Sequence, residues 1–333
     1  MFNQPASTRP LRPRLGAALL GLAAFGFLAL APSTAHAQRL QIGDPLGTAN
    51  GKATVTGSGT VVSGAFQYQD SNGNPATFKP TTKSYDSLGV YNSSVLTLAN
   101  GSSAGSTGLV GSATLNVTGG SEGSVNTLAN SPTVDASGIV NISAGTISQA
   151  FIDGNSFFNV SGGSVSQVFL GINTDTFKYP TSVSAIAVSG GTVSALTLLQ
   201  SSTASISGGT VMVLAEGNTF ANITGGTVNV SVSNRGGANI TGGTITALAN
   251  SNDNVPNPSN IDLFGTNLML VNGFVTGTLQ DNSAIDAPFT GNPDFLFFNG
   301  KSSSPVPEAS TTVSFGLLLA FGLVVAARKK RAK

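Results

Sequence analysis

The stretch that decides the fold is ANITGGTVNVSVSNRGGANITGGTITALAN, residues 221–250. It contains one pattern twice, because NITGGT begins at Asn222 and again at Asn239, 17 residues later. In each copy a β-branched residue precedes a Gly-Gly pair, and polar and apolar residues alternate after it. Such alternation of Val, Ile and Thr is typical of a β-strand, and paired glycines are typical of a bend that needs positive φ. Each copy therefore predicts two short strands separated by a glycine corner.

Five earlier segments follow the same pattern. They are NVTGGSEGSV from Asn116, NISAGTISQAFI from Asn141, NVSGGSVSQVFL from Asn159, AVSGGTVSALTL from Ala187 and SISGGTVMVLAE from Ser205. The second small residue of each of the seven corners falls at Gly120, Gly145, Gly163, Gly191, Gly209, Gly226 and Gly243, with spacings of 25, 18, 28, 18, 17 and 17. The basic unit therefore has 17 or 18 residues, and two units contain longer insertions.

A unit of this size cannot bury its own apolar face, but stacked units can. Each strand would then pair with the equivalent strand above and below it at about 4.8 Å, around a narrow continuous core. The sequence thus predicts an all-β protein, a parallel β-solenoid with the right-handed crossovers usual for parallel strands. A β-sandwich is the alternative, although its strands would not be expected to recur with the same glycine corner.

Asparagines occupy one register of the repeat, at Asn116, Asn141, Asn159, Asn222 and Asn239. We expect their amides to stack at a corner and to hydrogen-bond to one another as a ladder. All five also form N-x-[ST] sequons, which we interpret as a by-product of the repeat.

The remaining segments divide the chain into five parts. Residues 1–37 are predicted as a signal peptide, 38–115 as an N-terminal cap with irregular β coils, and 116–250 as the solenoid repeats. Residues 251–300 carry larger apolar side chains and are predicted as a C-terminal β cap, because an open terminal coil would expose unpaired strand edges. Residues 301–333 are predicted as a linker and a helical tail.

The N-terminal segment has the features of an export signal. Arg9, Arg12 and Arg14 precede the apolar run 15–31, and Ala35-His36-Ala37 supplies the small-x-small site of a signal peptidase. Cleavage after Ala37 would leave Gln38 as the first residue. A retained N-terminal membrane anchor is the alternative.

The amino-acid composition restricts the kinds of catalysis and binding that the chain after residue 37 can support. The chain has no Cys, and its one His is His36, which export would remove. Disulfides and His- or Cys-dependent catalysis are therefore excluded from the mature protein. The seven basic and 13 acidic residues between 38 and 307 give a net charge of −6, which disfavours nucleic-acid binding. We predict no cofactor and no metal site.

An enzyme on the same fold would need carboxylates brought together on one face. Asp153, Asp175 and Lys178 lie in neighbouring units and are the candidate group for a polysaccharide lyase or hydrolase. Loss of a depolymerase activity in an Asp153→Asn, Asp175→Asn double variant would decide for that alternative. We expect instead that the charges between 116 and 250, Glu122 among them, lie on solvated loops. The run Asp70–Asn74 is interpreted as an Asx-rich turn rather than a calcium loop.

Aromatic residues cluster near the two insertions. We expect them to pack the inserted loops against the stack, with a sugar-stacking platform as the alternative. The residues concerned are Phe151, Phe157, Phe158, Phe169, Phe177 and Tyr179.

The C-terminus combines a short polar motif, an apolar run and a basic end. The motif is Val306, Pro307, Glu308, Ala309 and Ser310, the apolar run is 313–327, and the basic cluster is Arg328, Lys329, Lys330 and Arg331. The 15 apolar residues would span about 22 Å as a helix, less than the roughly 30 Å of a bilayer core. The basic end would remain inside, as the positive-inside rule requires.

This arrangement resembles the PEP-CTERM sorting signal of exported bacterial proteins. Pro307 and Glu308 match the first two positions of that motif, and Ala309 stands where a second Pro is usual. The resemblance implies processing by an exosortase-type membrane transpeptidase and delivery to the bacterial cell surface or an exopolysaccharide matrix. We therefore predict an exported, non-enzymatic structural or adhesin-like protein that contacts the membrane through its tail at least transiently. An ordinary single-pass anchor is the alternative for the tail.

Overall fold

The structure, a computed structural model, describes residues 38–45, 48–70, 74–128, 136–171, 183–251 and 259–302. The helical segments predicted within 1–37 and 301–333 lie outside these residues, apart from 301 and 302, which are strand. In the described part, no helix is long and apolar enough to cross a membrane.

The described residues form 25 strands and one short 3-10 helix, Pro293–Phe295. In chain order the strands are β1 Arg39–Ile42, β2 Gly51–Thr56, β3 Gly59–Gly64, β4 Phe66–Gln69, β5 Ser84–Tyr91, β6 Val95–Leu98, β7 Ser103–Val110, β8 Thr114–Leu128, β9 Ile139–Ile152, β10 Phe157–Val160, β11 Ser164–Leu170, β12 Ala185–Val188, β13 Thr192–Leu198, β14 Thr203–Ile206, β15 Thr210–Glu216, β16 Phe220–Ile223, β17 Thr227–Ser233, β18 Gly237–Ile240, β19 Thr244–Ser251, β20 Asn260–Leu263, β21 Gly265–Val271, β22 Phe274–Leu279, β23 Ala284–Thr290, β24 Leu296–Phe298 and β25 Lys301–Ser302.

Two parallel ladders run the length of the molecule. Face A stacks β2, β6, the first halves of β8 and β9, and then β10, β12, β14, β16, β18, β20 and β24. Face B stacks β1, β5, β7, the second halves of β8 and β9, and then β11, β13, β15, β17, β19 and β23. Each coil contributes one strand to each face, so the predicted all-β stack of parallel repeats is confirmed.

Inward and outward positions alternate along most strands, and the inward side chains fill the space between the two faces. Strands β14 and β16 alternate exposed and buried positions, and most inward positions carry Val, Ile, Leu or Ala. Among the fully buried side chains of the described residues, Phe158 on β10 is the largest. Burial of one Val, Leu or Ile side chain contributes about 1.5–3 kcal/mol, which is how units too small to fold alone stabilise one another.

The glycine corners line up in a column, as the repeat predicts. Six of the seven have positive φ, namely Gly145, Gly163, Gly191, Gly209, Gly226 and Gly243. Successive corners touch: a Cβ on Gly209 would lie 2.7 Å from the carbonyl oxygen of Gly191, which accepts a 3.0 Å hydrogen bond from Thr210 N.

The seventh corner differs from the prediction. Gly120 lies inside the uninterrupted strand β8 and does not have positive φ. Here the strand passes through the corner position, and its register against β9 shifts between Thr118 and Ser121 instead.

The asparagine ladder forms on a strand and not at a corner, so that part of the prediction was wrong. Asn141 Nδ2 donates to Asn116 Oδ1 at 3.0 Å, and Asn159 Nδ2 donates to Asn141 Oδ1 at 2.9 Å. All three occupy the third position of their face A strands. Asn222 and Asn239 are register partners further along, beyond Ala187 and Ser205, which interrupt the row of amides.

The first coil reverses direction at the N-terminal end. Strands β3 and β4 run antiparallel to β2 and β1, and so become the outermost strands of faces A and B. The segment after β4 contacts both strands: Pro75 bridges to Gln69 of β4, Phe78 packs edge-on against Phe66 and Tyr68 of β4, and Thr60 N of β3 donates to the carbonyl oxygen of Pro80 at 2.6 Å. The parallel ladders therefore already begin with β1 and β2, before residue 116.

An antiparallel meander of β21, β22 and β23 covers the C-terminal end. Val275, Leu279, Ile285 and Ala287 point inward from it and belong to the core. Strand β23 continues face B through its pairing with β19, and β24 continues face A through β20.

Candidate binding groove

Most of the targeting residues predicted from the sequence lie outside the described residues. These are Ala35 and Ala37 of the cleavage site, Val306–Ser310 of the sorting motif and the basic cluster Arg328–Arg331. Gln38 is described, and its carbonyl oxygen accepts a 3.1 Å hydrogen bond from Asp86 N. The backbone of the residue that would begin the mature chain thus hydrogen-bonds to face B, while cleavage itself stays a prediction.

The structure describes one residue of the candidate catalytic group. Asp153 directly follows β9; its Oδ1 accepts from Gly154 N at 2.7 Å and its own N donates to Thr127 Oγ1 at 2.7 Å. Asp175 and Lys178 lie outside the described residues. Within the described ranges, no three His, Cys, Asp or Glu side chains are arranged to hold a metal ion. Asp70 Oδ1 accepts from Asn74 N at 2.9 Å and Asp70 N donates to the Asn74 carbonyl oxygen at 3.0 Å, while residues 71–73 of the predicted Asx-rich turn lie outside the described residues.

Glu122 is buried in the core, so the expectation of a solvated charge was wrong for this residue. It is 2% exposed, and its register partners on face B are Ala104 and Ile147. One carboxyl oxygen, Oε2, accepts from Thr107 Oγ1 at 2.7 Å, and Oε1 has no hydrogen-bond partner among the described residues. Burial, only partly offset by the Thr107 hydroxyl and by the backbone of Ser124 and Gly123, raises the pKa of Glu122 to about 8.

The repeat pattern itself predicts that Glu122 is buried. In the other units, the residue two positions after the corner glycine is Ile147, Val165, Val193, Val211, Val228 or Ile245, and all six point into the core. In the first unit this position holds Glu122. Alignment of the units would have placed its carboxyl in the core.

An open groove of about 350 Å³ lies on the outer side of face B, near the N-terminal end. Its middle row consists of register partners on four consecutive strands, Gln41, Gly89, Gly108 and Asn126. We call this feature the face B groove. It is lined by Arg39, Leu40, Gln41, Gln69, Ser87, Leu88, Gly89, Tyr91, Ser106, Gly108, Val110, Asn126 and Leu128.

Glycine makes the floor of the face B groove, and two rows of side chains make its walls. Ser87 and Ser106 stand on one side with Arg39, and Tyr91, Val110 and Leu128 stand on the other. A Cβ on Gly89 would lie 2.8 Å from the Tyr91 ring, so this ring rests over the floor. A Cβ on Gly108 would meet only Leu128 Cδ1, at 3.8 Å, so the floor is open there.

Two stacked phenylalanines continue the middle row beyond Asn126. Phe151 is the register partner of Asn126, and Phe169 follows it. Their ring centroids are 5.4 Å apart with an interplanar angle of 7°. Beside them, Gln149 Nε2 donates to Gln167 Oε1 at 2.9 Å. Aromatic and amide side chains therefore extend the face B groove along the solenoid axis.

The other aromatics of the predicted cluster are distributed elsewhere. Phe158 lies in the core, Phe157 is 51% exposed on face A, and Phe177 and Tyr179 lie outside the described residues. The four described phenylalanines thus form no single cluster; two belong to face B and two to face A strands.

The face B groove has the composition of a binding surface. Its lining combines hydroxyls, amides, aliphatic side chains and one aromatic ring, and Arg39 is the only charged residue among the described residues that form it. Comparisons of this chain with protein-family models, with curated proteins and with solved structures found no match.

Proposed function

We propose that this chain is an exported, non-enzymatic structural or adhesive protein of a bacterial cell surface or extracellular matrix. The supporting observation is the outward row on face A. At one register it carries Thr or Asn at Thr54, Thr97, Asn116, Asn141, Asn159, Asn222 and Asn239, all partly or fully exposed.

Such a row presents hydroxyl and amide groups at a spacing of about 4.8 Å along the stack. A repetitive polymer such as an exopolysaccharide can meet many of these groups at once, and many weak contacts then add to a firm attachment. Ala187 and Ser205 interrupt the amides, and the next member of the row after Asn239 is an acidic residue, Asp262.

Targeting completes the proposal. Signal peptidase removes residues 1–37, and an exosortase-type enzyme processes the tail at Val306–Ser310. The apolar run 313–327 holds the precursor at the membrane until that step, with the basic cluster inside. The body between the two cuts is a right-handed solenoid, the hand favoured for parallel crossovers.

Intact mass of the protein isolated from its host tests both cuts together. We expect an N-terminus at Gln38 and a C-terminus between Pro307 and Ser310, with the protein recovered from the surface or matrix fraction. A Pro307→Ala, Glu308→Ala variant should retain the tail and stay with the membrane. A Ser303→Ala, Ser304→Ala variant in the adjacent linker is the control and should behave like the wild type. A wild-type C-terminus at Lys333 would contradict sorting and support a single-pass anchor.

A further inference from the structure

We propose that the face B groove binds a short stretch of an uncharged polysaccharide chain, lying along the solenoid axis from Gln41 toward Phe151. This inference rests on the proposed surface role and assigns a ligand class to a particular site. The site is the cavity of about 350 Å³ whose floor is Gly89 and Gly108.

The occupant must be held by side chains, because the backbone at the floor is already paired. Strand β5 hydrogen-bonds to β1 on one side and to β7 on the other, and β7 in turn pairs with β8. An extended peptide that binds by strand addition needs a free strand edge. The groove lies on the face of the sheet and offers none.

The lining matches a ligand with both apolar faces and hydroxyl groups. The Tyr91 ring over Gly89 provides an apolar surface, and Val110 and Leu128 extend that wall. Gln41 and Asn126 each present an amide that donates and accepts, and Ser87 and Ser106 add hydroxyls. Sugar rings carry hydroxyls that donate and accept at their edges and C–H groups on their faces, so they can use both kinds of contact.

Charge favours an uncharged sugar chain over an acidic one. Arg39 is exposed at the rim and is the one charged residue that the described part of the chain contributes to the lining. The body between residues 38 and 307 has a net charge of −6, which repels a polyanion at long range.

The dimensions fit an elongated ligand. The cavity is near the lower end of the range of about 300–1,000 Å³ for small-ligand sites. Its middle row crosses four strands, about 14 Å along the axis, before the row reaches Phe151. The stacked Phe151 and Phe169 then lie in the path of a longer chain.

Gly108→Val tests the proposal without disturbing the fold. Valine favours strands, Gly108 does not have positive φ, and its Cβ position is free of close contacts, so the new side chain should fill the groove. Ser231→Val introduces the same side chain further along the same row and is the matched control. Thermal unfolding of both variants should follow that of the wild type.

Calorimetric titration of the full-length protein would use four defined hexasaccharides as probes: a glucan, a mannan, a galactan and, as the acidic member, a polygalacturonate. We expect at least one neutral probe to bind. Gly108→Val should weaken that binding at least about 10-fold, as for loss of a central contact, while Ser231→Val leaves it unchanged. Tyr91→Leu should weaken it as well, and Arg39→Gln should change it less than about 2-fold, since an exposed charge at the rim contributes little.

Three outcomes would overturn the inference: no neutral probe binds, binding survives Gly108→Val, or only the acidic probe binds and Arg39→Gln abolishes it. None of these changes the expected mass or the matrix location of the protein. Failure of the groove proposal is therefore distinguishable from failure of the proposed surface role.

Discussion

Gly209→Ala is expected to lower the free energy of unfolding by about 2–5 kcal/mol. The residue has φ of +77°, where a non-glycine residue costs about 1–2 kcal/mol. Its new Cβ would also lie 2.7 Å from the carbonyl oxygen of Gly191, so the coils must move apart at their corner. Such displacement typically adds about 1–3 kcal/mol. Urea unfolding followed by circular dichroism measures the loss.

Gly273→Ala is the matched control for this prediction. Gly273 has the same φ of +77°, but a Cβ placed there would have nothing within 4 Å. This substitution should therefore cost only the backbone strain of about 1–2 kcal/mol. Equal losses of unfolding free energy in the two variants would mean that the close contact between successive corners adds nothing to the cost of a side chain there.

The second large effect concerns the pH dependence of stability. Glu122 has a pKa of about 8 in the folded protein against an ordinary value of 4.5, so its carboxyl is neutral in the folded state at pH 7 and ionised in the unfolded chain. The unfolded state then binds fewer protons, and stability falls as pH rises. The contribution of Glu122 to the free energy of unfolding is fully present below pH 4.5 and is lost progressively up to about pH 8. By pH 7 the loss is about 3 kcal/mol.

Glu122→Gln isolates this effect from the titration of other groups. The free energy of unfolding of this variant minus that of the wild type should rise by about 3 kcal/mol between pH 4.5 and 7, and become constant above about pH 8. Glu216→Gln makes the same chemical change at a partly exposed position on β15 and is the control. A difference curve for Glu122→Gln that stays flat with pH would show that this carboxyl does not titrate with folding.

The stacked fold could be predicted from the sequence because its determinants are local and repeated. A corner such as Gly209 needs positive φ and a close neighbour, and only glycine satisfies both, so the requirement is visible in every unit. The ladder position of Asn141 was misplaced because the repeat fixes the register but not where the strand begins. Strand β10 reaches one residue beyond Asn159, and β9 runs on from Asn141 to Ile152, so both asparagines lie on strands.

The face B groove could not be predicted, because it depends on contacts between segments that do not resemble one another. Gln41 and Gly89 become neighbours only after the chain between them has formed β2, the reversed strands β3 and β4 and a further loop. This intervening chain does not follow the repeat, so the periodicity of the sequence does not predict that the two residues are neighbours. Glu122 is the opposite case, since its burial follows from aligning one unit with the next.

The reversal of the first coil also affects whether two molecules can pair end to end and how the stack can be lengthened. At that end the outermost strands β3 and β4 run antiparallel to the stack, Thr60 N of β3 donates to the carbonyl oxygen of Pro80, and Phe78 packs on β4. At the other end of the described residues the antiparallel meander and the antiparallel strand β25 follow the parallel ladders. Neither described end therefore offers a second molecule a parallel strand to pair with, whereas duplication of whole coils between them would lengthen the stack in steps of about 4.8 Å.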